Sequence, residues 1–392
     1  METSIVKTQS RWGLWVIYAI VFISFFDYQS SLPIISPFAQ SLGASVALVG
    51  IIVGAYSALN LVGNLGAGYW IDRAGRKLPL VVGLVVVSIV LLCYPFMRDP
   101  YALLGLRAIH GLGASLVSPA SLAYIGDAAA QGARARAMAM YGSAIGLTSI
   151  FAPPFAGAIR DRLGFGAVFV ILSMMVLAVA VAAFFMVSEN YQRESKPATT
   201  VWRLLRRRRL FLSYVSAFCL LFSLGTLIVF LPLMGQSMNI TSARVGFWFA
   251  SFGLSAIVIQ LALGRLSDRI GREPVMVVGF VLIAIALILL PITQDWETAI
   301  SVMAIYGIGF GILFPAMTAL LADETDAASR GTASGIYTAV YSLGAAAGTG
   351  SAGALVWMQQ NAQIHPFQFA AVIVLLGLVW VSSVWLMQRK GE

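Results

Sequence analysis

Apolar runs of eighteen or more residues recur along the chain with only short polar breaks between them. Each run can cross a hydrocarbon layer of about 30 Å at about 1.5 Å per residue, which excludes a water-soluble core for most of this sequence. Composition agrees, since 59% of the 392 residues are hydrophobic and 10% charged, against roughly a quarter charged in soluble domains. Read against the breaks, the runs predict helices at 12–36, 46–70, 79–97, 101–124, 135–159, 166–187, 210–235, 245–266, 275–293, 298–321, 332–357 and 367–387. The expected fold class is an all-α membrane protein with twelve transmembrane helices. Lys7 and Arg11 precede an apolar segment too long for a cleavable signal, so it is expected to stay as the first helix.

The net charge of +9 does not point to nucleic acid, because the basic residues fall in short gaps between apolar runs. With the N-terminus inside, the inner segments hold twenty of the 25 basic residues, and the outer ones hold only Arg98, Arg160, Arg162 and Arg244. The positive-inside rule then places both termini in the cytoplasm, in a multi-pass protein of the inner membrane. Arg206 to Arg209 read as an orientation signal, with membrane lipid head groups as the other possible partner. Cys93 and Cys219 lie inside apolar runs and offer no disulfide framework or metal spacing. No phosphate loop and no His-Glu-x-x-His pattern occurs, so an enzyme, an ATP-driven pump, a metal and a cofactor are not expected.

The longest polar break divides the chain into an N-terminal half at 1–187, a basic linker at 188–209 and a C-terminal half at 210–392. The halves repeat. Gly68, Asp72, Arg73, Gly75 and Arg76 recur as Gly264, Asp268, Arg269, Gly271 and Arg272, a shift of 264 − 68 = 196 residues. The same shift carries Gly111 to Gly307, Pro119 to Pro315, Asp127 to Asp323, Arg134 to Arg330, Tyr141 to Tyr337 and Gly157 to Gly353. Homologous six-helix bundles with a site at their interface are a transporter plan.

The loop from Gly68 through Asp72, Arg73, Gly75 and Arg76 to Lys77 resembles the signature of the major facilitator superfamily, over essentially the full chain. The resemblance implies that these residues and their repeats form a cytoplasmic latch that engages the other half and holds the outward-facing state. Asp127, Arg134, Asp323 and Arg330 fall with them. Within the superfamily the chain is similar to the twelve-helix drug:proton antiporters. The first helix carries Asp27 before Pro33 and Pro37, and the fourth carries Arg107, His110 and Gly111 in an Arg-x-x-x-Gly element tied in the family to proton coupling. The fifth helix carries Gly142, Gly146, Pro153, Pro154 and Gly157, a partial antiporter motif with Ala152 and Ala156 where glycines are usual.

Asp27 and Arg107 each cost on the order of 2.5 to 3.5 kcal/mol at a bilayer centre, so function is the default reason for them. The shift of 196 maps Asp27 to Ser223 and Arg107 to Met303, which confines the charged site to one half. His110, one turn from Arg107, is a candidate proton relay or substrate ligand. Tyr28, Gln29, Tyr124, Tyr306 and Tyr337 are candidate cavity residues. The expected function is a monomeric, proton-coupled exporter of small amphipathic or drug-like solutes. The alternatives are a nutrient or organic-anion importer with Arg107 on the anion, and a non-transporting sensor.

Overall fold

Proline, glycine and capping side chains set where the apolar runs start and stop. The computed structural model describes residues 11–128, 134–189, 207–263, 266–325, 330–351, 354–356, 358–359 and 364–391. The first pass is α1 (Arg11–Ser31) and, after a turn at 32–34, α2 (Ile35–Ser41). The expected single helix at 12–36 is thus broken, because Pro33 has no N–H for the ladder and pushes Leu32 out of helical geometry. α3 (Val46–Ala74) is capped by Ser45 Oγ, which accepts from Leu48 N at 3.3 Å. α4 (Lys77–Cys93) and α5 (Pro100–Ala128) follow, with Asp99 accepting from Ala102 N at 2.8 Å. α6 (Arg134–Met186) holds two passes, bent at Gly164 with φ 82° and ψ 174°, a backbone that side chains disfavour.

The second half repeats this order. It comprises α7 (Arg208–Ser237), α8 (Ser242–Leu263), the short α9 (Leu266–Ile270), α10 (Arg272–Leu289), α11 (Trp296–Asp323), α12 (Arg330–Gly350) and α13 (Pro366–Gly391). Asp295 caps α11 by accepting from Thr298 N at 2.7 Å, and that backbone N–H holds its carboxyl below the usual carboxylate range. Among the described residues, ten helices are long and apolar enough to cross a membrane. The bend in α6 makes one of them two passes, and α12 completes twelve with 21 residues rich in Gly, Ala, Ser and Thr.

Within the N-terminal half α1 packs on α6 and α3 on α5, and within the other α7 packs on α12 and α8 on α11. The halves meet where α6 crosses α8 and α3 crosses α12. Small residues decide how closely. A Cβ on Gly157 would overlap the Ser242 carbonyl, one on Gly246 the Pro153 carbonyl, and one on Gly253 the Ser149 side chain. These contacts lie toward the end of the bundle opposite the basic loops. There Asp161, in the stretch of α6 before its bend, accepts from Ser242 N at 3.1 Å and Ala243 N at 2.8 Å, so one half's carboxylate caps the other half's α8.

At the basic end the described hydrogen bonds stay within each half. Glu189 accepts from Arg76 N at 3.0 Å and Lys77 N at 2.9 Å, filling the N-terminus of α4. Arg209 reaches Glu273 at 2.9 Å and Glu324 at 2.9 Å, and Arg207 donates to the Glu324 carbonyl at 2.8 Å. Those two arginines therefore tie α7 to α10 and α11, a contact that reading Arg206 to Arg209 as orientation charges does not include.

Candidate functional site

A cavity of about 200 Å³ lies between the halves. Its polar wall comes from α1, α3 and α5, with Ser24, Asp27, Tyr28, Tyr56, Ser57 and Asn60 among its residues. The opposite wall comes from α7 and α12, with Leu221, Leu224, Ile228 and Tyr341.

Asp27 is 3% exposed, His110 1% and Arg107 4%. The sequence places Asp27 and Arg107 as possible partners, but the structure pairs Asp27 with His110 instead: Oδ2 lies 3.0 Å from Nε2. The other imidazole nitrogen, Nδ1, lies 3.1 Å from the hydroxyl of buried Tyr94. The three groups form a hydrogen-bonded series in which the imidazole can accept or pass a proton without heavy-atom movement. Arg107 lies with its guanidinium carbon 4.7 Å from the centre of the Tyr56 ring, a cation–π contact. His110 meets the same ring edge-on at 5.2 Å. Among the described residues, three buried atoms of this site lack a hydrogen-bond partner: Ser24 Oγ, Asp27 Oδ1 and Arg107 Nε.

The repeat reproduces the geometry with different chemistry. Adding 196 to Asp27 and His110 gives Ser223 and Tyr306, and their hydroxyls are bonded at 2.8 Å. Tyr56 maps to Phe252, which also meets its partner ring edge-on, at 5.5 Å from Tyr306. Tyr18 donates to the Ala137 carbonyl at 3.4 Å and Tyr214 to the Ala333 carbonyl at 3.3 Å. The helix crossings are duplicated, while the ionisable pair occupies one copy.

Among the other expected residues, Tyr28 reaches the cavity wall and Tyr124, Tyr306 and Tyr337 are buried. Gly146, Pro153 and Gly157 sit on the contact of α6 with α8, whereas a Cβ on Gly142 would meet nothing within 4 Å. Of the residues expected to form a latch, Gly75 and Gly271 take φ 85° and 97°, and Arg272 Nε bonds Asp323 Oδ2 at 2.9 Å. Gly68 has open space beside it, and Arg73 and Arg269 are exposed. Gly264 and the side chains of Asp72, Asp127, Arg134, Asp268 and Arg330 lie outside the described residues.

Sequence reasoning missed Tyr94, Tyr56, Asn60, Asp161 and Glu189. The α3 residues had a signal: Tyr56, Asn60 and Asn64 recur every four residues on one face of an apolar helix, and Asn64 Nδ2 bonds Asn60 Oδ1 at 2.9 Å. For Asp161 no local pattern marks the partner, which lies about eighty residues on.

Two homologous helical halves enclosing a cavity at their interface are the architecture of a membrane transporter. The chain belongs to the major facilitator superfamily, whose description matches it twice, over residues 17–228 and 213–392. It is 23% identical over 375 residues to an uncharacterized MFS-type transporter of Methanocaldococcus jannaschii, covering 94% of this chain and 97% of that one. It is 24% identical over 390 residues to multidrug resistance protein 2 of Bacillus subtilis, covering 96% of each. Its fold is similar to that of a bacterial homolog of the human lysosomal transporter Spinster in an inward-facing, occupied conformation, with TM-score 0.79, 16% identity and 96% of each chain covered.

Proposed function

We propose that this transporter is proton-coupled and exports small amphipathic or drug-like solutes across the inner membrane by alternating access. The observation that carries the reading is Asp27: buried on the cavity wall, bonded to His110 Nε2 at 3.0 Å, and left with one unpartnered oxygen. A carboxylate so placed can take a proton from His110 or a donor from a solute, which joins the two loads in one group. The resemblance of the whole chain to multidrug resistance protein 2 of Bacillus subtilis supports export of this solute class. Twenty basic residues on one side support cytoplasmic termini. One chain supplies both walls of its cavity, which supports work as a monomer.

In the cycle, contacts between α6 and α8 and between α3 and α12 close the end away from the basic loops. Opening them while the basic end closes presents Asp27 to the other side. The latch residues Gly68, Asp72, Arg73, Gly75, Arg76 and Lys77, with their repeats, are assigned to that second closure. An importer that binds its anion on Arg107 has less support, because the guanidinium stands against the Tyr56 ring and Arg107 is not among the residues that line the cavity.

The test is flux in proteoliposomes under an imposed pH gradient. Asp27→Asn is expected to abolish uphill accumulation and leave downhill exchange partly intact. Full gradient-driven accumulation by that variant refutes the assignment.

A further inference from the structure

We infer that Ser36 and Pro232 form a lock between the halves that sets which way the empty cavity faces: Pro232 frees the Ile228 carbonyl, and Ser36 fills it only while the end opposite the basic loops is closed. This rests on the alternating access proposed above and not on proton coupling.

In an α-helix the carbonyl of residue 228 accepts from the N–H of residue 232, and a proline there has none to give. α7 nevertheless runs through Pro232 as far as Ser237, so the Ile228 carbonyl is left without its ladder donor. Ser36 Oγ, on α2, donates to that carbonyl at 3.2 Å. The first pass meets the same need differently: the carbonyl that Pro33 frees, on Gln29, accepts from Leu32 N at 3.2 Å inside its own turn. One half thus fills its freed carbonyl locally, and the other has it filled from across the boundary. An ordinary ladder carbonyl already has its donor, so a serine hydroxyl would compete for it and bind it less well.

α2 is fixed to the N-terminal half, because Phe38 packs on Phe165 and Phe169 with ring centres 5.2 and 5.3 Å away. Parting the halves at this end therefore pulls Ser36 off α7. Ser36, Ile34 and Val229 are each 0% exposed, and a hydrogen bond so shielded from water keeps its strength, while an unmet carbonyl there is costly. Ile228 also lines the cavity, which puts the lock where the cavity meets its closed end. The repeat explains the choice of residues. Adding 196 to Ser36 gives Pro232, and adding it to Leu32 gives Ile228. Related halves bring equivalent positions together at their interface. Two serines there would be two donors without a freed carbonyl, and two prolines would be two freed carbonyls without a donor. Serine in one half and proline in the other supply one of each.

The test is the separation of nitroxides at exposed Ser41 on α2 and Gln236 on α7, read by pulsed electron resonance on the full-length chain in lipid nanodiscs, with Cys93 and Cys219 replaced by alanine. It uses neither gradient nor solute. Ser36→Ala is expected to raise the ratio of long to short distances roughly threefold to tenfold, the worth of one buried hydrogen bond. Pro232→Ala restores the N–H that draws the Ile228 carbonyl into the ladder, so it should raise the ratio about twofold to threefold, and adding Ser36→Ala to it should change the ratio by less than about twofold. All are repeated on Asp161→Ala, where loss of the other bond between halves brings the long distances into range. An unchanged ratio in Ser36→Ala overturns the inference, and so does an equal shift with and without Pro232. Should Ser36→Ala not fold, Pro232→Ala alone decides, and no rise in its ratio is a refutation. If Asp161→Ala opens this end and the Ser36 and Pro232 variants do not, the lock alone fails; if none of them opens it, alternating access at this end fails with it.

Discussion

Removing the Asp161 carboxylate should open the end of the bundle that the structure holds closed. Asp161 accepts two backbone N–H groups of α8, at 3.1 and 2.8 Å, and it does so across the boundary between halves. Within one helix, loss of a capping side chain costs about 0.5–2 kcal/mol. Charge-assisted bonds would raise that figure, but Asp161 is 19% exposed and its neighbour Arg160 31%, so water recovers part of it. The closed end of Asp161→Ala should lose about 1–2 kcal/mol relative to the open one, a shift of roughly 5–30-fold in their ratio. Asp161→Asn keeps an acceptor oxygen and should lose about half as much. Nitroxide labels at exposed Leu163 on α6 and Phe247 on α8 report the separation by pulsed electron resonance. A longer-distance population should grow in the order unmodified, Asn, Ala, and high salt should enlarge it in the unmodified chain, since caps of this kind are screened. Unchanged distance distributions in folded Asp161→Ala would refute the reasoning.

Four further outcomes follow from packing. Gly246→Val places a side chain on the Pro153 carbonyl, so it should part α6 from α8 and abolish transport, whereas Gly142→Ala has open space and should leave flux unchanged and stability equal or higher by about 0.5–1 kcal/mol; flux and melting curves check both. Arg209→Gln leaves Glu273, itself 7% exposed, without its cation and should lower stability by about 1–3 kcal/mol, while exposed Arg208→Gln should stay within about 0.5 kcal/mol, read by thermal shift. Gly75→Ala meets both a φ of 85° and the Glu189 carboxylate and should cost at least about 1–2 kcal/mol from the backbone alone. The double variant Asp27→Ser with His110→Tyr copies the node of the second half; it should fold with near-normal melting yet lose uphill accumulation, and uphill transport by it would rule out the Asp27–His110 node as the coupling group.

Much of the fold was legible because lipid imposes one rule on every pass: an apolar run of sufficient length whose backbone bonds are internal. Interruptions within a run were harder to read. Pro33 splits the first pass although hydropathy continues through it, and Gly164 bends α6 at a point that local composition marks only weakly. At the site the charged members were legible because charge in an apolar helix is costly, but their pairing was not. Which of Arg107 and His110 meets Asp27 depends on the rotation of α5 against α1, and these residues lie one turn apart. Tyr94 and Asp161 act only through tertiary contacts, so no local pattern announces them.

The repeat carried more than it was asked to. Applied to Asp27 alone, the shift of 196 reaches Ser223 and suggests that the second half has no counterpart. Applied to both partners it reaches Ser223 and Tyr306, bonded at 2.8 Å where Asp27 and His110 stand at 3.0 Å. The bond between the first and fourth helices of each half is thus part of the scaffold, and a neutral hydroxyl pair suffices to make it. A need for helix pairing therefore does not explain why one copy is ionisable. Burying a carboxylate and an imidazole where two hydroxyls would do costs stability unless the pair performs other work. On the proton-coupled reading, that work is to carry charge past a closing barrier. With only one of the two halves bearing the carboxylate, Asp27 can move no more than a single proton in each cycle.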